Sequence, residues 1–178
     1  LQPVLLRQVF HGVDGGGQNL ARTVWSVLEN YPPQTVEVLM NSLSTHDIPR
    51  AITVLAGEPF TGQDREWQAA HHFLPLDVYQ TGKHRLRLAS LLQYFLPGVP
   101  CLYYGDEAGL SGYRDPFNRC PYPWGQEDGE LLDWFRRLGA LRREFSDLLA
   151  DGAYLPVQWS QDLFSFLRKK DGRTLLIA

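Results

Sequence analysis

The chain has 178 residues, 44% of them apolar, 21% charged and 12% aromatic, with a formal charge of -3 and a pI near 5.9. That composition excludes a disordered chain and, by bulk electrostatics, a nucleic-acid binder. The length exceeds one typical domain of ~150 residues but falls short of the ~250 that a complete (β/α)8 barrel needs.

Cys101 and Cys120 fit neither a disulfide framework nor a zinc spacing, so two reduced thiols and a cytoplasmic setting are expected. The apolar run around Leu91 is broken by Pro97, Gly98 and Pro100 before it reaches the ~18 to 20 residues of a membrane span. The chain opens at Leu1 without methionine and stops inside the apolar run Leu175–Ala178, so it reads as a piece of a longer protein.

In chain order, His11-Gly12-Val13-Asp14-Gly15-Gly16-Gly17 is a glycine cluster with Asp14 as a turn residue, a weak signal for a phosphate loop. Leu20, Val24, Val27 and Leu28 recur at helical spacing over Asn19–Leu28, and Pro32-Pro33 follows as a stop. Val36 to Leu43 reads as a buried strand. From Ile48 to Thr81 the chain is irregular, with Gly57, Pro59, Gly62, Pro75 and Gly82 as dividers and one short helix over Asp64–His71. Lys83–Leu96 places Leu88, Leu91, Leu92 and Phe95 on one helical face, and Pro100–Gly105 is the next buried strand, which together make a βαβ unit.

Asp128 is placed to cap a long helix carrying Leu131, Trp134, Phe135, Leu138, Leu141 and Phe145. Tyr154–Trp159, Leu163–Arg168 and Thr174–Ala178 then read as short strands, the last two joined as a hairpin through Lys170-Asp171-Gly172. Arg168-Lys169-Lys170 is expected as the solvated end of that hairpin.

Asn41-Ser42-Leu43-Ser44-Thr45-His46-Asp47-Ile48-Pro49-Arg50 puts an imidazole, a carboxylate and a guanidinium just after a strand, the face where parallel α/β folds build their sites. Standing alone, a His-Asp pair after a strand is more often a hydrogen-bonded turn or loop than a catalytic group. After the next strand come Tyr103-Tyr104-Gly105-Asp106-Glu107-Ala108-Gly109 and Asp115-Pro116-Phe117-Asn118-Arg119-Cys120-Pro121-Tyr122-Pro123-Trp124. Rings beside carboxylates, an amide and an arginine suit a sugar, whose pyranose face stacks on aromatics while its hydroxyls meet polar groups. The plainer alternative is a rim loop in which Asp115 and Arg119 only pair with each other.

His71-His72 with Asp77 could suggest a metal site, and the order His11, His46-Asp47 imitates metal-dependent phosphohydrolases of the His-Asp type, although that fold is helical and here the pair follows a strand. No carboxylate cluster has calcium spacing, so neither metal nor cofactor is expected. Trp67, Trp159 and Phe164 are candidate sugar platforms or packing residues.

Taken together and in this order, the segments Asn41–Arg50, Pro97–Gly109, Asp115–Arg119 and Pro121–Trp124 resemble the α-amylase family of glycoside hydrolases (family 13), most closely its neopullulanase and cyclomaltodextrinase branch. The resemblance implies an α/β fold: a partial (β/α)8 barrel over 1–149, with Val36–Leu43 and Pro100–Tyr104 as seventh and eighth strands and Asp128–Phe145 as the eighth helix, then the first strands of an antiparallel β-sandwich over 150–178. It implies His46 as a hydrogen-bond donor to the sugar at the cleavage point and Asp47 as the third carboxylate, which stabilises the transition state. It implies Arg50 as a support of that loop and a substrate contact, and Asp115 and Arg119 as contacts to sugars further along the chain. Tyr104, Asp106 and Glu107 are scaffold or rim.

The Arg-x-Asp nucleophile motif and the Glu acid of that family are not in this sequence, so the parent is expected to be a retaining hydrolase of α-glucans and this segment alone inactive. A non-catalytic carbohydrate-binding homologue is the other reading. Uncovered barrel edges suggest self-association.

Overall fold

The computed structural model describes residues 16–57, 59–160 and 163–178. The turn assigned to Asp14 lies outside the described residues.

The described residues form two compact units, one of residues up to Asn41 with Leu92–Cys101 and Leu138–Ala178, the other of Ser42–Leu91 and Leu102–Arg137. The helices over Leu76–Phe95 and Gly129–Glu144 each contribute residues to both units.

In the first unit, helix α1 (Gly16–Asn30) forms where the helical spacing predicts and buries Leu20. Pro32-Pro33 does more than stop it. Pro33 opens a second, five-residue helix, α2 (Pro33–Glu37), because a proline in the first turn has φ preset and no N–H to lose. The strand expected over Val36–Leu43 is therefore corrected to β1 (Met40–Ser42): Val36 is buried on α2, while Val38 and Met40 are exposed.

β1 pairs with β2 (Val99–Cys101), which is shorter than the expected Pro100–Gly105. The Val99 N–H donates to the Leu39 carbonyl at 2.7 Å, and the buried Gln93 amide donates to Asn41 O at 3.0 Å and Cys101 O at 2.9 Å, fixing both strands to one helix. Gly98, at φ +108°, is required where the turn passes Leu39, since a Cβ would lie 2.5 Å from the Leu39 oxygen.

Helix α5 (Leu76–Phe95) ends in this unit, as does α6 (Gly129–Glu144), and α7 (Ser146–Asp151) follows. Strands β3 (Ala153–Trp159), β4 (Phe164–Lys170) and β5 (Arg173–Ile177) form an antiparallel sheet in that order. Pro156 is accommodated because β3 is an edge strand, and the register slips beside it between Pro156 and Gln158. The expected hairpin is present: Lys170 faces Arg173 across Asp171 (φ 48°) and Gly172 (φ 76°), a two-residue turn with both centres left-handed.

Arg168, expected in solvent, is 1% exposed and this expectation is corrected. Its guanidinium donates to Phe95 O (3.1 Å) at the end of α5 and to Leu149 O (3.1 Å) and Gly152 O (2.9 Å) at the end of α7. Arg142 adds bonds to Tyr94 O (2.7 Å) and Gly98 O (2.8 Å). Helix C-termini carry unpaired carbonyls and partial negative charge, which is why two cations can sit there. Burial, reinforced by the neighbouring Arg142 charge, pulls the Arg168 pKa down to about 10.

In the second unit, two elements depart from the sequence pattern. Helix α3 (Ala51–Ala56) occupies part of the segment read as irregular; it has no side-chain cap at Arg50, but the Ser44 hydroxyl accepts the Ala51 N–H at 2.7 Å. Helix α5 starts at Leu76 rather than Lys83 and runs through Gly82, which is not a divider but the point of contact with α3: a Cβ there would lie 2.8 Å from Ile52 O. The buried face of α5 is Leu86, Ala89, Leu92 and Phe95, so Leu88, expected inside, is 57% exposed.

Helix α4 (Arg65–Ala70) matches expectation, with Asp64 accepting the Trp67 N–H at 2.8 Å. Asp128 caps α6, accepting from Leu131 N (3.0 Å) and Glu130 N (3.1 Å), and also holds Lys83 Nζ (2.8 Å) and the Tyr79 hydroxyl (2.9 Å). Leu131, Phe135 and Leu138 are buried as the spacing requires.

Replacing Arg168 with Ala would leave three buried helix-end carbonyls without their donor. We expect a loss of about 3 kcal/mol or more by urea unfolding, against less than about 0.5 kcal/mol for Lys169→Ala on the same strand.

Candidate functional site

Leu43 to Arg50 connects β1 to α3. Thr45 closes a tight turn within it: its hydroxyl accepts the Asp47 N–H at 3.2 Å and its carbonyl accepts the Ile48 N–H at 3.4 Å. The turn directs His46 and Asp47 outward, with side chains 61% and 72% exposed and His46 Nε2 3.2 Å from Asp47 Oδ1. The two residues are thus presented together at the surface.

Arg50 behaves differently. Its side chain is 0% exposed, 3.3 Å from the Asp106 carboxylate, and its Nη1 donates to the Tyr104 carbonyl. The rings of Tyr103 and Tyr104 lie over the guanidinium, 4.3 and 4.7 Å from its carbon. Of the two roles expected for Arg50, loop support fits this placement, and contact with a substrate does not, because no part of the side chain reaches the surface. Asp106 is scaffold, as expected. Burial pushes its carboxyl up to about 6, opposed by the Arg50 charge and by hydrogen bonds from Ser44 and Arg50. The Glu107 carboxylate accepts the Gly105 N–H at 2.9 Å, and the Tyr104 hydroxyl donates to Cys120 O at 3.0 Å.

Asp115 precedes a 3-10 turn over Phe117–Arg119 that Arg119 ends, and the two form an ion pair, Nε to Oδ1 2.8 Å, with both side chains partly in water. The pairing seen as the plainer alternative is therefore real, yet it leaves carboxylate and guanidinium edges open to a hydroxylated ligand. The rings of Tyr122 and Trp124 meet at 4.5 Å, tilted by 49°, and Trp124 is 82% exposed. Among the proposed platforms, Trp67 is taken up by His71 (4.1 Å, stacked) and Tyr113 (5.0 Å, edge-on), Phe164 packs near Phe166 (5.7 Å), and Trp159 is exposed on β3.

One residue that joins the two motifs was not singled out from sequence. Asn118 is fully buried, and its Nδ2 donates to His46 O and to Ile48 O, both at 2.9 Å. Its position inside Asp115–Arg119 is visible in the sequence, but acceptors 70 and 72 residues away are not.

His71 Nδ1 faces Trp67 O at 2.8 Å and His72 Nδ1 faces Ala69 O at 2.6 Å, so each imidazole is engaged by helix α4. No cluster of three or more His, Cys, Asp or Glu side chains able to hold a metal occurs among the described residues.

No family model matches the chain. An amylopullulanase of Thermoanaerobacter thermohydrosulfuricus is 35% identical over 150 residues, covering 84% of this chain and 10% of that protein. A cyclomaltodextrinase of Geobacillus thermopakistaniensis is 29% identical over 167 residues, 92% of this chain and 24% of that protein. The debranching enzyme of Nostoc punctiforme, a solved structure, superposes with a TM-score of 0.71 at 26% identity over 90% of this chain and 28% of its own.

The homologues of this chain and its neighbours in structure are α-amylase-family glycoside hydrolases. The chain spans about a tenth of the amylopullulanase and about a quarter of the cyclomaltodextrinase. Within that family its neighbours in structure are barrel enzymes with C-terminal domains.

The raised Asp106 carboxyl has a pH signature. Between the ordinary carboxylate value and about 6 the folded protein holds a proton that the unfolded chain has lost, so this group's contribution to stability is complete below about pH 4 and is lost as pH rises through 6. Chemical denaturation across pH 4 to 7 is expected to show wild type losing on the order of 2 to 3 kcal/mol relative to Asp106→Asn over that interval.

Proposed function

We infer that the chain is a segment of a retaining glycoside hydrolase acting on α-glucans such as maltodextrin, cyclodextrin, pullulan or starch. It supplies the transition-state-stabilising Asp47 but neither the nucleophile nor the general acid. The observation that carries this reading is the paired, outward-facing His46 and Asp47 on a turn whose far end, Arg50, is sealed into the loop after β2. The relatives named as amylopullulanase and cyclomaltodextrinase supply the substrate class.

In this reading residues 1–149 are the closing part of a (β/α)8 barrel, with β1 and β2 in its seventh and eighth strand positions and α6 as its eighth helix; 150–178 open a C-terminal β-sandwich. No described helix is long and apolar enough to cross a membrane, and the free thiols of Cys101 and Cys120 fit a cytoplasmic location. No cofactor is called for. Self-association through uncovered barrel edges is the partner expectation for the isolated segment.

The chemistry follows from charge. Cleavage with retention passes through an oxocarbenium-like state between a nucleophile and an acid roughly 5 Å apart, supplied by other parts of the protein. Asp47 accepts hydrogen bonds from ring hydroxyls that strengthen as positive charge grows on the sugar; His46, 3.2 Å away, donates to a neighbouring hydroxyl. Asp115 and Arg119 bind a sugar further along, by exchanging part of their mutual pairing for hydroxyl contacts.

In the complete protein, Asp47→Asn is expected to lower kcat on maltoheptaose by about a hundredfold or more with the unfolding temperature unchanged. Arg119→Ala is expected to act mainly on KM. The 178-residue chain alone should release no reducing sugar from maltodextrin or cyclodextrin; release would overturn the division of labour. A complete protein that binds maltoheptaose without turning it over would instead be a carbohydrate-binding homologue.

A further inference from the structure

We propose that Asn118 is a positioning residue, one buried amide that fixes the backbone on both sides of Asp47 and ties it to the turn carrying Asp115 and Arg119. The proposal rests on the functional reading above.

The two carbonyls that Asn118 Nδ2 reaches, His46 O and Ile48 O, bracket Asp47 in the chain, and both amide hydrogens are used at 2.9 Å. Two bonds within this turn are longer: Asp47 N to Thr45 Oγ1 at 3.2 Å and Ile48 N to Thr45 O at 3.4 Å. The His46–Asp47 contact lies in solvent and restrains little. Asn118 therefore places two short bonds from a buried side chain on either side of a carboxylate that is itself in water.

The opposite end of the amide shows what the residue is for. Asn118 Oδ1 is buried and has no hydrogen-bond partner among the described residues. A flipped amide would set that oxygen against two carbonyl oxygens, so the acceptors dictate the orientation. Filling this space with a leucine would avoid an orphaned acceptor, so an asparagine with one end unsatisfied points to the donor end.

Asn118 also sits in the middle of the turn that presents the second pair. Phe117 N donates to Arg114 O at 2.8 Å and Arg119 N to Pro116 O at 3.0 Å, so the turn is internally bonded, and Asp115 and Arg119 close over it at 2.8 Å. A shift of this turn moves Asn118, and with it the two carbonyls either side of Asp47. Catalytic geometry is sensitive on this scale, since a displacement of about 1 Å can cost a hundredfold in rate. The sugar contact at Asp115 and Arg119 and the charge contact at Asp47 are thus set by one side chain.

The test uses the complete protein with maltoheptaose, comparing wild type, Asn118→Ala, Asp47→Asn and the double variant for kcat, KM and unfolding temperature. Asn118→Ala is expected to lower kcat by about 10- to 100-fold with KM within about threefold, and to add less than about twofold in the Asp47→Asn background, because its effect passes through Asp47. Asn118→Ser, which keeps a single donor, should fall between. A folded Asn118→Ala with wild-type kcat overturns the proposal, as does an equal loss in both backgrounds. If Asn118→Ala does not fold, Asn118→Ser carries the same test, and failure of both to fold overturns positioning in favour of a structural role. Asp47→Asn with normal turnover overturns the functional reading and this proposal with it; a slow Asp47→Asn beside a normal Asn118→Ala overturns the positioning role alone.

Discussion

The second compact unit depends on a single buried guanidinium. Arg50 is sealed from water against the rings of Tyr103 and Tyr104, with Asp106 as counter-ion and the Tyr104 carbonyl as acceptor. Taking two charges out of water is costly and is recovered only where geometry and added hydrogen bonds are good. Here the Ser44 hydroxyl, which accepts the first N–H of α3, also bonds to Asp106. A pair of this kind contributes modest stability for its cost, but it penalises any arrangement in which the loops after β1 and β2 separate, because each would then carry an unpaired buried charge. The restraint is one of register, and the exposed His46 and Asp47 inherit it through a chain of only a few residues.

How much of this was legible follows from how far each residue's partners lie. Local signals worked. Asp64 and Asp128 announce α4 and α6 because a cap bonds within three residues, and Lys170-Asp171-Gly172 announces its hairpin because the turn's left-handed centres suit Asp and Gly. Non-local packing defeated the same logic. Gly82 looks like a helix breaker until Ile52 O is found where its Cβ would be, and Arg168 looks like a solvated cation until three helix-end carbonyls are found around it, one of them 73 residues away.

The site divides along the same line. His46, Asp47, Asp115 and Arg119 were found as chemistry-bearing residues after strands, and their pairing at 3.2 and 2.8 Å is local. What Arg50 and Asn118 do was not legible, since their partners lie 54 to 72 residues away. Composition shows that an arginine and an asparagine are present near the site; only the fold shows that both are buried and hold exposed residues in place.

This contrast bears on the transition-state role proposed for Asp47, which is an exposed carboxylate. In water a contact such as His46–Asp47 contributes on the order of 0 to 1 kcal/mol, because solvent screens the charges and both side chains lose freedom in meeting. Interactions of that kind become large only when a ligand displaces the water and the groups need not reorganise as charge develops. The protein's part is therefore to spend rigidity in advance, beneath the surface and away from the ligand. Thr45 shapes the turn, Asn118 pins it from one side, and the Arg50–Asp106 pair anchors its end, so that Asp47 faces solvent on a backbone with little left to adjust. The charge is at the surface; the groups that hold it there are buried.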